Sequence, residues 1–401
     1  MAKPSVLFVC ANRGQLGNAL PVARALAARG GRAHLLAMDA IHAQGVGDAL
    51  EHEALPAGVT WSQARLPLLD PPFARRSFLS RLHSVMRLAP VLAGLSREYH
   101  AIVVGMDGAF ERVLLREARG DGRFTALILD GPILGAPRLR TGPGAAWSAR
   151  RWLRFHGRRA LLKLTGALGL EPYAPGLLAH TPLDRIYTMG AFTTHTLAGH
   201  GLHAALETTG IPRLAELAGE PLDLEPEPNR VLYATAAFRW HDEPWLDRRQ
   251  QHNLEALAEA LPRAGWELHV RLHPREDPER FRALVGRPGV LVSPASRPLI
   301  DEIAAARAVV TSVSTTAIEA LGLGRPVFIH LDGFPADHSE YVLGACLPVT
   351  RSTAALVSEL AKLRNGHAPE PALPEDVWSP DTPHSGERIA ASLCEAIAAR
   401  R

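Results

Sequence analysis

His273 stands between two guanidiniums in the run Val270-Arg271-Leu272-His273-Pro274-Arg275. An imidazole flanked by Arg271 and Arg275 at the end of a short apolar run suits a phosphate, because all three groups can donate hydrogen bonds to its oxygens. Pro274 fixes the direction in which the chain leaves. Further along, Thr311-Ser312-Val313-Ser314-Thr315-Thr316 carries hydroxyls at five of six positions. One helix cap needs one such residue. A run of them opening a helix offers side-chain hydroxyls and unpaired backbone N–H groups, which together cradle an anion. Ser312, Ser314, Thr315 and Thr316 are therefore candidates for a donor phosphate, and Glu319, one turn into that helix, for ribose hydroxyls. A solvated strand end, an ordinary cap and an exposed helix carboxylate are the plainer readings, and they stay open.

Two Asp-Gly pairs, Asp107-Gly108 and Asp130-Gly131, close expected strands in the first half. A carboxylate there can take a proton from an acceptor hydroxyl, although turn formation alone also explains Asp-Gly. Asp130 is preferred to Asp107. The stretch Asn12-Arg13-Gly14-Gln15-Leu16-Gly17-Asn18 follows the first strand and does not close a GxGxxG dinucleotide pattern. Arg13, Gly14, Gln15 and Asn18 are expected to meet acceptor or donor phosphate; the alternative is a tight turn that needs glycine for its backbone.

These residues require strands to end beside one another. Val6–Cys10, Arg32–Met38, Ala101–Gly105, Ala126–Leu129 and Arg185–Met189 read as buried strands, with helices over Asn18–Arg29 and Ala109–Arg119. After a Pro- and Glu-rich stretch the alternation restarts with strands at Val231–Thr235, Trp266–Leu272, Ala308–Thr311 and Pro326–His330. Helices are expected over His252–Leu261, Leu299–Ala305 and Thr315–Gly322. The fold class is α/β: two doubly wound Rossmann-like domains facing a cleft. Residues 1–218 form an acceptor-side domain, 219–229 a linker and 230–368 a nucleotide-binding domain. Residues 369–401 form a tether and a helix that packs back on the first domain.

Composition narrows the function. The 401 residues are 47% hydrophobic and 21% charged, with a net charge of +3. This is an ordinary globular balance that gives no general reason to bind nucleic acid. Cys10, Cys346 and Cys394 lie far apart in no CxxC spacing, so neither a disulfide framework nor a zinc site is expected. No leader or membrane span is read, and a cytoplasmic protein is expected. The charge is uneven: Arg138–Lys163 holds eight cations and no acid, with Trp147, Trp152 and Phe155 among them. Such a segment suits peripheral contact with an anionic membrane, here its inner face, or with a polyanionic glycan. Nucleic acid is not expected as a partner.

The segment Thr311–Ile329 resembles the nucleotide-binding segment of GT-B glycosyltransferases. Arg271–Arg275 with Ser312–Thr316 resembles the paired HP and Ser/Thr motifs of bacterial sialyltransferases and of CDP-glycerol glycerophosphotransferases and their capsule-forming relatives. Thr208-Thr209-Gly210-Ile211-Pro212-Arg213 is similar to the TGxPR segment of the glycerophosphotransferase and UDP-N-acetylglucosamine 2-epimerase groups. Leu129-Asp130-Gly131 resembles the acidic motif that carries the sialyltransferase base, with Leu129 where that motif has an acid. The resemblance implies an inverting transferase; no DxD-type carboxylate pair appears and cationic side chains can neutralise the leaving phosphate, so neither a metal nor a cofactor is expected. The transferase would move a sugar or polyol phosphate from a CMP- or CDP-activated donor to a surface polysaccharide or lipid-linked acceptor. A UDP-sugar transferase or UDP-GlcNAc 2-epimerase-like enzyme is the first alternative, and a non-catalytic glycan-binding scaffold the second.

Overall fold

A computed structural model describes residues 3–70, 73, 77–131, 133, 145–174, 177–200, 202, 204–215, 225–239, 243–293, 297–312, 314–334, 347–367, 377, 379 and 382–400. The chain divides into two compact units, Met1–Ala215 with Glu375–Arg401, and Glu216–Pro374. Positions 219–224 of the expected linker and 369–376 of the tether lie outside the described residues, as do Arg138, Arg140 and the side chain of Trp147.

In the first unit the strands are β1 (Ser5–Cys10), β2 (Arg32–Ala37), β3 (Val59–Gln63), β4 (Ala101–Val104), β5 (Phe124–Ile128), β6 (Arg185–Thr188) and β7 (Ala205–Thr208). They pair in parallel in the order β3-β2-β1-β4-β5-β6-β7. β1, β4 and β5 are buried along their whole length. Crossover helices cover both faces of a parallel sheet, so its central strands are continuous apolar runs. The helices are α1 (Arg13–Ala28), α2 (Asp39–His42), α3 (Val46–Glu51), α4 (Phe78–Leu95), α5 (Ala109–Gly120), α6 (Ala145–Ala167) and α7 (Ala191–Ala198). Leu16, Val22, Ala23 and Leu26 of α1 fill one face of the sheet, and Val85, Leu92, Val113 and Leu114 of α4 and α5 fill the other.

α1 begins earlier than its sequence pattern suggests. Asn12 caps it by accepting the Gln15 N–H at 2.9 Å, so Arg13, Gly14 and Gln15 form the first helical turn rather than a loop.

In the second unit β8 (Arg230–Ala234), β9 (Glu267–Arg271), β10 (Val290–Ser293), β11 (Ala308–Thr311), β12 (Val327–His330) and β13 (Val349–Thr350) form a parallel sheet. Their order is β10-β9-β8-β11-β12-β13. The helices are α8 (Pro244–Arg263), α9 (Leu299–Ala305), α10 (Thr316–Gly322) and α11 (Thr353–Arg364). Trp266, Leu257, Leu261, Leu360 and Leu363 close the core between α8, α11 and the sheet.

The last helix, α12 (Ser385–Ala398), belongs to the first unit and lies on α1. Gly386 permits this approach, since a Cβ there would stand 3.2 Å from the Pro21 backbone. Ser392 donates to Glu207 at 2.8 Å and meets the Tyr187 hydroxyl at 3.0 Å, tying α12 to β6 and β7. Strand order reverses beside β1 and beside β8, and doubly wound sheets bind ligands past the carboxyl ends of strands at such points.

Candidate functional site

In the second unit, Arg271 pairs in register with Ala234, and Ala234 with Thr311. The segments after β9, β8 and β11 therefore leave one edge side by side. The segment after β9 carries His273, that after β8 carries Thr235, and that after β11 carries the hydroxyl run. The Thr235 hydroxyl accepts the His273 backbone N–H at 2.8 Å and donates to Glu276 Oε2 at 2.5 Å. Gln250, fully buried on α8, grips the Ala236 backbone at both ends of its amide and donates to Glu276 Oε1 at 3.2 Å. Burial pushes the Glu276 carboxyl up to about 7, against the pull of the Thr235 hydrogen bond. His273 Nδ1 accepts the Arg275 N–H at 3.1 Å, so a neutral ring carries its proton on Nε2, where it can donate.

The other expected contacts divide into surface and floor. Arg271 is buried and ion-paired with Glu302 at 2.7 Å, and Ser312 is fully buried. Both lie beneath the edge rather than on it. Pro274 is exposed, and Arg275, Ser314 and Thr315 are half-buried. Ser314 accepts the Thr316 N–H at 3.2 Å and donates to the Thr316 hydroxyl at 3.0 Å, a local turn that opens α10. Glu319 is buried on α10, not solvated; Val313 lies outside the described residues. His273 and the hydroxyls flank β8 two strand spacings apart, about 10 Å. They can touch different parts of one nucleotide. On the His273 side hydrogen bonds join Thr235, Glu276 and Gln250, while Ser314 bonds to Thr316 and the Thr311 hydroxyl donates to the Ala234 carbonyl.

In the first unit the switch point beside β1 is closed. Gln15 is buried, accepts the Ala11 N–H at 2.8 Å and lies over Gly105, where any Cβ would run into its side chain. Arg13 turns aside and donates to the Gly45 carbonyl at 3.1 Å. Asp130, one strand further on, is 41% exposed at its side chain, which leaves it accessible. Its Oδ1 accepts from Arg213 at 2.9 Å and from Asn18 at 3.1 Å. Asn18 in turn accepts the Arg213 backbone N–H at 3.2 Å. Gly14 lets the carboxylate approach the first turn of α1, as a Cβ there would stand 3.1 Å from Asp130 Oδ2.

Asp107 is placed differently. It is buried, and it accepts the Ala179 and Thr181 backbone N–H groups at 3.1 and 3.0 Å. Burial raises its carboxyl above the usual range, offset in part by Thr181 and Arg112. It anchors a loop.

Thr235, Gln250 and Glu276 are site residues that motif reading does not pick out, and it finds Arg213 only as the end of the TGxPR-like segment, not as the partner of Asp130. For Glu276 the signal is faint: a carboxylate three positions after His273.

Two parallel doubly wound domains in one chain define the GT-B type of fold. No protein-family model matches the sequence, and the search of curated proteins finds no match. Among solved structures, the chain is similar to the UDP-GlcNAc 2-epimerase of Methanocaldococcus jannaschii in complex with UDP-GlcNAc and UDP. The identity is 12% and the TM-score 0.62, over 98% of this chain and 100% of that one. It is also similar to the UDP-GlcNAc 2-epimerase of Neisseria meningitidis bound to UDP-GlcNAc, at 14% identity and TM-score 0.59 over 98% and 100%. The calicheamicin glycosyltransferase CalG4 matches at 16% identity and TM-score 0.55 over 100% and 99%. At such identities the likeness is one of fold. It gives no support to the sialyltransferase or CDP-glycerol glycerophosphotransferase groups in particular.

Proposed function

We propose that this chain is a nucleotide-sugar enzyme of the GT-B class, and that its donor is a uridine-nucleotide sugar rather than a cytidine one. The observation that carries the reading is the hydrogen-bonded edge beside β8. There His273 offers an Nε2 donor, Thr235 and Gln250 hold a protonatable Glu276, and half-buried hydroxyls open α10. Uridine is preferred because the epimerases of like fold are recorded with UDP or UDP-GlcNAc.

In the proposed reaction His273, Arg275, Ser314, Thr315 and Thr316 hold the donor phosphates, with Arg271, Ser312 and Glu319 supporting them from below. Asp130 takes the proton of an acceptor hydroxyl as that oxygen bonds to the sugar carbon. The bond from that carbon to the nucleotide phosphate breaks, and the phosphate leaves with the electron pair. The acceptor class is a polysaccharide or lipid-linked glycan.

A second reading, a 2-epimerase, is favoured by the TGxPR-like segment at Thr209–Arg213 and by the epimerases of like fold. Thermal unfolding with UDP, CDP and CMP tests the donor. A ligand at about a hundred times its Kd adds roughly 2.7 kcal/mol, and that stabilisation is expected with UDP. Stabilisation by CMP or CDP alone would restore the cytidine donor, and stabilisation by none would remove the nucleotide site. Proton NMR of UDP-GlcNAc incubated without acceptor then separates the two chemistries, because only an epimerase changes the sugar at C2.

A further inference from the structure

α6 wears its leucines on the wrong side. Leu162 is buried, and Phe155 stacks edge-on against His180 and His200 at 5.9 and 5.6 Å, so this side of the helix faces the domain. Leu153, Leu161 and Leu164 are 64%, 41% and 60% exposed. At 3.6 residues per turn they share an arc of about 80° on the far side. Leu168 continues the row just past the helix end and is 64% exposed. A surface helix normally hides such a stripe.

Along the chain, the charge in and before this helix is of one sign. From Gly131 to Leu170 the chain has no Asp or Glu, and α6 carries Arg150, Arg151, Arg154, Arg158, Arg159 and Lys163. α4, which like α6 packs on the turn at Glu171–Tyr173, also lacks acids and exposes Leu79 and Met86. On the domain-facing side of α6 lies a cavity of about 330 Å³ lined by Arg159, Leu162, Lys163, His180, Thr181 and His200 among others, with no carboxylate in its lining. Arg159 is fixed at its edge by a 2.5 Å hydrogen bond to the His200 carbonyl.

We infer that the outward leucine row of α6 inserts into an anionic phospholipid bilayer, and that the cations of the helix, Arg159 and Lys163 of the cavity lining among them, meet the lipid phosphate headgroups. Leucines and cations interleaved on one exposed helix match the two phases of a membrane interface, apolar chains below and anionic headgroups at their level. Neither a neutral surface nor a small anion in solution uses both. The inference goes beyond the proposed donor chemistry and does not depend on it.

Flotation of the full chain, without nucleotide, tests it with vesicles of phosphatidylcholine alone and of phosphatidylcholine with phosphatidylglycerol in equal parts. Binding is expected to the anionic vesicles only. Leu161→Gln/Leu164→Gln/Leu168→Gln adds no charge to an exposed face and should bind at least about tenfold more weakly. Arg159→Gln/Lys163→Gln should weaken binding by roughly tenfold. In both variants the melting shift with UDP should match that of the parent chain, which keeps failure here distinct from failure of the donor reading.

Absent or charge-independent binding would overturn the inference, and so would a leucine variant that binds like the parent. Release from vesicles by millimolar inorganic phosphate would assign the cavity to a soluble anion. A dimer in vesicle-free gel filtration that the leucine variant abolishes would mean that a second copy covers the row. Stronger retention by a single-stranded oligonucleotide than by vesicles would assign the cations to nucleic acid instead.

Discussion

The two sheets share a winding and differ in what stands at the switch point. Beside β1 the crevice is plugged by Gln15, which reaches across Gly105 and hydrogen-bonds to Ala11. Beside β8 the corresponding edge carries His273, Thr235 and Glu276 in one hydrogen-bonded web, with hydroxyls after β11 on the other side of β8. A doubly wound sheet offers the same place twice, and side chains decide whether it is plugged, as by Gln15, or lined by half-buried polar groups, as by His273, Ser314 and Thr315. The proposed nucleotide site follows that contrast into the second unit. It leaves the first unit an accessible carboxylate, Asp130, whose position is set by Arg213 and Asn18.

The largest test of that division is Asp130→Asn. With the charge gone and the shape kept, turnover should fall by roughly a hundred- to ten-thousand-fold, while UDP affinity measured by calorimetry stays at the parent value. A matching loss of UDP affinity would put the nucleotide against the first unit and undo the division of labour.

Asp107→Ala should act on stability instead. It removes the acceptor of two buried N–H groups, which costs about 2–4 kcal/mol and should appear as an earlier urea midpoint for the first unit. Turnover per folded molecule should stay the same. Activity lost without loss of stability would return Asp107 to the role of base.

Much of this was legible in advance, and the exceptions have causes. The central strands announce themselves because burial on both faces demands unbroken apolar runs, as in Val6–Cys10 and Ala101–Val104. β3 and β10 are partly exposed, so their patterns are weak. α1 hides its start, because Gly14 and Gly17 imitate a turn while Asn12 caps a helix. α6 is obscured by leucines that face outward. His273 and the hydroxyl run can be found by type and spacing. The web around His273 cannot, because Thr235, Gln250 and Glu276 become neighbours only when β8 and β9 pair. Asp130 can be nominated as an Asp-Gly residue, but the partners that set it apart from Asp107 arrive from Asn18 and Arg213.

In the second unit, His273→Ala should weaken UDP binding by about ten- to a hundredfold, as expected for losing one hydrogen bond to a charged group. His273→Gln keeps a donor and should recover part of it. Unchanged affinity in His273→Ala would place the phosphates with the hydroxyls of α10 alone.

Glu276 gives the smallest and most specific effect. Its folded carboxyl titrates at about 7, against an ordinary 4.5, because burial disfavours the charge. Between those values the native chain keeps a proton that the unfolded chain has released. Stability therefore falls as pH rises through that window and stays lower above it. Glu276→Gln holds the neutral shape at every pH, so the denaturation midpoint of the second unit should lose that slope. UDP affinity should follow the same proton. A protonated Glu276 tolerates a phosphate beside His273, and an ionised one repels it, so binding should weaken a few-fold as pH rises through about 7. Calorimetry from about pH 5 to about pH 8 should find that dependence flattened in Glu276→Gln. Should the slope persist in the variant, another group sets the pH response, and the edge beside β8 works without Glu276.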